Sequence, residues 1–90
     1  MYLYNTMQRV VLFESHIMRV VLLKLKAGVK IPAHDHSIDC YMRIVKGSVY
    51  HRSFNRTEML SANETVVIPA KTIHSVLARG DATIISRYVL

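Results

Sequence analysis

Three histidines define the chemistry open to this chain. His34 and His36 flank a single residue in the run His34-Asp35-His36, and His74 follows much later. Residues two apart on a strand share a face, so the first two imidazoles point the same way and a third from another strand can meet them around one ion. Cys40 comes just after a short turn-forming stretch, Ser37-Ile38-Asp39. Neutral imidazoles bind Fe, Mn, Ni, Zn or Cu, so donor type alone does not select the metal. A Cys40 thiolate in a fourth position favours zinc or copper, whereas a thiol beside three imidazoles leaves positions open for substrate and oxygen. A small buried Cys that only fills space is the third reading.

Other side chains carry less information. His16 and His51 lie outside this pattern and are read as surface or barrel-filling residues. Asp35 is expected on the face opposite its two neighbours, pairing there with Lys or Arg. Tyr41 and Tyr50 are expected to pack on strand faces, and Met18, Met42 and Met59 in the core.

The elements that must hold these residues are strands. Apolar residues recur with a period of two, as in Leu23-Lys24-Leu25-Lys26, where a helix would repeat every 3.6 residues. Strands are expected over 7–13, 16–26, 29–36, 39–46, 48–54, 65–68, 74–78 and 82–89, and residues 56–63 as a short strand entering a turn. The turn signals include Ala27-Gly28, Lys46-Gly47, Pro69-Ala70-Lys71 and Arg79-Gly80-Asp81. Short strands at this spacing make an all-β sandwich or barrel. Val10, Val11 and Val20 to Leu23 cannot all face one core, so a second apolar face is expected to be buried in a homodimer.

Composition bounds the rest. Ninety residues, 51% of them hydrophobic, make a single domain over 1–90. In a chain this short, burial and the entropy of ordering nearly cancel, which points to a metal, a partner subunit or both as added stabilisation. The longest apolar runs, Val10 to Phe13 and Val20 to Leu23, are far too short to span a bilayer. No membrane association is expected. Residues 1–5 lack the basic-then-apolar pattern of an export signal, and the single Cys cannot form an internal disulfide. A cytoplasmic location is the expectation. The net charge is +6, but the twelve Lys and Arg are dispersed and no RNA-module signature appears. Nucleic acid is therefore not an expected partner, and the basic surface favours small anions.

The spacing resembles a known family. Gly28, five residues, His34, one, His36, three, Cys40, six, Gly47 is similar to the first motif of the cupin superfamily over 28–47, with Cys40 where glutamate is usual. The second motif, over 63–78, runs Asn63, five residues, Pro69, one, Lys71, two, His74. In it Asn63 and Lys71 replace glycines and Ala78 replaces an asparagine. Asn tolerates positive φ, whereas Lys makes the second turn harder to form. The resemblance implies an all-β double-stranded β-helix, a jelly-roll barrel of two antiparallel sheets, with His34, His36 and His74 as metal ligands.

A narrower stretch, from His34 to Cys40, resembles thiol dioxygenases, cysteine dioxygenase in particular. That likeness implies an Fe(II) centre, a Cys40–Tyr88 crosslink with both residues at the catalytic centre, and Arg9 as the binder of a substrate carboxylate. This chain is much shorter, however, with one residue fewer between His36 and Cys40 and a shorter connection from His74 to Tyr88. Packing for Tyr88 and solvation for Arg9 are the plainer roles. The expected function is a small metal-binding cupin, an iron-dependent dioxygenase of a small thiol or related anion. The alternative is a non-catalytic cupin module that holds or senses a metal or small ligand.

Overall fold

The computed structural model describes residues 7–90; residues 1–6, and with them the segment read for an export signal, lie outside the described residues. Nine strands follow one another: β1 (Met7–Glu14), β2 (Met18–Leu25), β3 (Lys30–His34), β4 (Cys40–Lys46), β5 (Ser48–Ser53), β6 (Arg56–Ser61), β7 (Thr65–Ile68), β8 (His74–Ala78) and β9 (Ala82–Val89). They form a five-stranded sheet in the order β1-β2-β9-β4-β7 and a four-stranded sheet in the order β3-β8-β5-β6, with every pairing antiparallel. No helix of the described residues is long and apolar enough to cross a membrane.

Period-two burial packs the sheets face to face. Met42, Ile44 and Ile84 from one sheet meet Val49, Val76 and Ala78 from the other, all of them buried. Outward positions on the same strands carry charge or ring: Arg87 on β9 sits 4.6 Å from the Tyr41 ring centroid on β4, a cation–π contact on the outer face. The connection from β4 to β5 is one residue, Gly47, with φ +80°. A Cβ there would run into the carbonyl oxygen of Asp81, so close backbone approach as well as turn geometry requires glycine.

Several expectations change in the details. Strand β3 stops at His34, so Asp35 and His36 lie in the connection beyond it instead of on the strand. Asp35 is exposed and makes no ion pair among the described residues. Strand β5 ends at Ser53, because Phe54 and Asn55 both take positive φ, 50° and 59°, and close a two-residue hairpin into β6. Met59 is 47% exposed because it falls on the outward parity of β6, next to buried Leu60. Strand β1 is an edge strand whose residues from Gln8 onward are exposed.

The second motif keeps its turns despite its side chains. Asn63 and Lys71 adopt φ of 75° and 63°, the left-handed conformation that glycine takes without strain. Lys71 is held there by its own N–H, which donates to the His36 carbonyl at 2.6 Å, while the Ala70 N–H donates to Asp39 Oδ1 at 2.8 Å. The two motif loops are thus tied together beside the histidines. Replacing Lys71 by glycine relieves the left-handed strain, and we expect a stabilisation of about 1 kcal/mol in urea unfolding.

Candidate metal centre

The three histidines converge from two strands and one loop. His34 and His74 are cross-strand partners on β3 and β8, and His36 reaches back from the loop. One ligating nitrogen from each falls within 4.8 Å of the others. The ring centroids of His34 lie 4.8 Å from His36 and 4.4 Å from His74. His34 Nδ1–H donates to the Pro32 carbonyl at 2.8 Å, which fixes its tautomer and leaves the Nε2 lone pair facing inward. His34 Nε2 and His36 Nε2 are 3.2 Å apart, a separation suited to two nitrogens that share one ion at about 2.1 Å each.

His74 completes the case for a metal. It is buried, and neither of its ring nitrogens has a hydrogen-bond partner, which is costly for a polar group unless something else satisfies it. Burial chiefly, with His34, His51 and His36 adding to it and Asp35 opposing, lowers its pKa from 6.5 to about 4. His36 is lowered as well, first by desolvation and then by His34, with Asp35 opposing. Both imidazoles are therefore neutral near pH 7, the form that binds metal. Three imidazoles whose nitrogens converge fit one divalent transition ion.

The histidines line a cavity of about 350 Å³ that Arg9, Cys40 and Tyr88 also line. The six residues given site roles in the sequence, Arg9, His34, His36, Cys40, His74 and Tyr88, thus line one cavity. Cys40 is buried and is a direct register partner of Tyr88, but the ligand group holds only the three histidines. Burial pushes the Cys40 thiol up, tempered by the side chains of Tyr88 and Ser86. Burial first, and then Cys40, pushes the Tyr88 phenol up to about 12, with Ser86 and Arg9 acting in the opposite direction. The thiol and the phenol are both protonated near neutrality. The Tyr88 ring also packs edge-on against His36, with centroids 4.9 Å apart.

The arginines divide by position. Arg9 lines the cavity from β1, and no carboxylate among the described residues pairs with it. Arg19 reaches the rim but is bound to Glu14 at 2.7 Å. Arg43 points away and donates to Asn63 Oδ1 at 3.3 Å, bracing the second-motif turn. His16 is exposed on the β1–β2 connection. His51, by contrast, is only 2% exposed and packs behind His74. Its place on the inward parity of β5, two residues after Val49, was the available signal for that burial.

Fold and site together define the class: the chain has the cupin fold. A cupin superfamily protein from Desulfitobacterium hafniense superposes with a TM-score of 0.91 at 16% identity, over 96% of this chain and 79% of that one. KdgF from a Halomonas species gives a TM-score of 0.90 at 22% identity, over 94% and 79%. An RmlC-like cupin from Shewanella frigidimarina gives 0.89 at 17%, over 93% and 76%. No protein-family profile and no curated protein sequence matches the chain.

Proposed function

We propose that this cupin binds one divalent transition metal through His34, His36 and His74 and acts on a small anionic molecule held in the adjoining cavity. The convergence of three histidine nitrogens within 4.8 Å at that cavity carries the reading. Three neutral ligands leave the charge of the ion uncompensated, which favours an anion such as a thiolate or carboxylate. Fe(II) is the metal we favour over Zn, Mn, Ni and Cu, and it would supply the oxygen chemistry of a thiol dioxygenase. Arg9 would bind the carboxylate of the substrate. Tyr88, kept protonated, would donate a hydrogen bond into the cavity, and Cys40, its register partner, would be the residue crosslinked to it in a thiol dioxygenase.

Oxygen uptake by the iron-loaded protein with cysteine and related thiols tests this reading. We expect uptake that depends on added thiol and falls at least about tenfold in Arg9→Ala, the loss that one charge-assisted hydrogen bond commonly brings. No uptake with any thiol, together with zinc retained through purification, would support the non-catalytic module that holds or senses a ligand. A reducing, cytoplasmic setting suits the free Cys40.

The same proposal includes a homodimer. Val10, Val11, Leu12 and Phe13 on edge strand β1 are 43–54% exposed, and an antiparallel edge can pair with its own copy across a two-fold axis. Light scattering should give twice the 10.3 kDa chain mass, and Leu12→Glu should shift the protein toward monomer.

A further inference from the structure

The four buried ring nitrogens without a partner belong to two residues, His51 and His74. They are neighbours: His51 on β5 lies diagonally across the ladder from His74 on β8, with ring centroids 5.6 Å apart. On its other side His51 faces its cross-strand partner on β6, Glu58, whose Oε1 is 3.8 Å from His51 Nδ1. Strand parity points His51 inward beside Val49, a position that an apolar side chain would fill without adding any polar atom to the core.

A neutral imidazole has one N–H and one lone pair, so the order of these three residues sets a direction. The Glu58 carboxylate can only accept, so the His51 nitrogen that faces it at 3.8 Å, Nδ1, is the one that would carry the N–H. The lone pair of His51 then lies on Nε2 and accepts the N–H of His74. The second nitrogen of His74 is left with its lone pair, free to point at His34 and His36. This one arrangement gives three of the four orphaned nitrogens a partner and leaves the fourth, on His74, for a metal ion. The 3.8 Å gap closes by rotation of the half-exposed Glu58 side chain, and a single water can bridge any span that stays longer than a hydrogen bond.

We propose that His51, oriented by Glu58, is the positioning residue of the metal centre, holding His74 in its metal-binding tautomer. The inference rests on the proposed reading of His74 as a ligand. Histidine ligands generally donate their outer N–H to such a partner, and losing the partner weakens metal binding by about 10–100-fold. His51 is not itself within the group of ligating nitrogens.

Two measurements on the full chain test it. Zn(II) affinity, read by competition with a chromophoric chelator, should fall about 10–100-fold in His51→Phe and about 3–10-fold in Glu58→Ala. His51→Gln, whose amide oxygen can still accept from His74, should recover most of the loss. Long-range ¹H–¹⁵N spectra of the metal-free protein should show one dominant His74 tautomer that becomes mixed in His51→Phe and Glu58→Ala; a residue that only fills space would not produce this. Zinc affinity within twofold of the parent in both variants, an unchanged His74 tautomer, or a metal-shifted His51 nitrogen in the zinc form would each overturn the proposal. If His51→Phe does not fold, Glu58→Ala, altered at a half-exposed side chain, decides alone. A parent protein that binds no zinc defeats the metal reading, while the tautomer spectra still decide whether His51 orients His74.

Discussion

His74→Ala should leave the protein folded yet unable to retain its metal through desalting, with affinity reduced at least about 100-fold. Removing one of three converging imidazoles leaves a two-nitrogen site that water can readily displace. The stability consequence follows from linkage: a ligand present at about 100 times its dissociation constant adds about 2.7 kcal/mol to the folded state. In a domain of this size that amounts to a rise in Tm of more than about 10 °C on metal addition. The variant should lose that rise. Its metal-free Tm should move much less, because the substitution also removes two buried nitrogens that have no partner. His16→Ala, altered at an exposed histidine off the site, should keep both the metal and the rise. Elemental analysis and thermal melts with and without metal check all three proteins; metal content unchanged in His74→Ala would remove His74 from the ligand set.

The parts of this site that were legible in the sequence are those set by local periodicity. Strands β7, β8 and β9 fall where alternation and turn signals place them, because Pro69-Ala70-Lys71 and Arg79-Gly80-Asp81 separate them. The convergence of His34, His36 and His74, which the cupin resemblance implies, is seen in the geometry. What stayed hidden depends on tertiary contacts. His36 leaves β3, and its carbonyl is engaged by the Lys71 N–H of the opposite loop, a long-range bond that no local pattern announces. Lys71 looks wrong for a left-handed turn by propensity, yet it adopts one because that bond and its neighbours determine the turn. Phe54 is strand-forming by type but is turned by its hairpin. His51 was read only as a surface or barrel-filling residue, and its neighbours Glu58 and His74 come from two different strands. Its role therefore depends on pairing register, which a single sequence does not contain.

Acid should weaken the metal-free protein in a window set by these same imidazoles. His74 takes up a proton near pH 6.5 when unfolded but only near about 4 when folded. Between those values the unfolded chain binds more protons, so stability rises with pH across the window. Stability is full above pH 6.5, declines steadily below it, and levels off under pH 4 as far as His74 is concerned. The gap between 6.5 and about 4 corresponds to about 3 kcal/mol. His51 and His36, both lowered chiefly by burial, act in the same direction. Urea unfolding in the presence of chelator, at intervals from pH 7.5 to 4, should trace this decline, and His74→Ala should flatten it. The same depression favours metal uptake. A ligand already neutral at pH 5 gives up no proton to the ion, so His74 competes with protons only near pH 4, and affinity should fall less between pH 7 and 5 than three ordinary histidines would allow. A fall on the order of 10⁴-fold over that interval, which three ordinary histidines would give at about 30-fold each, would mean that His74 is not held neutral by its burial.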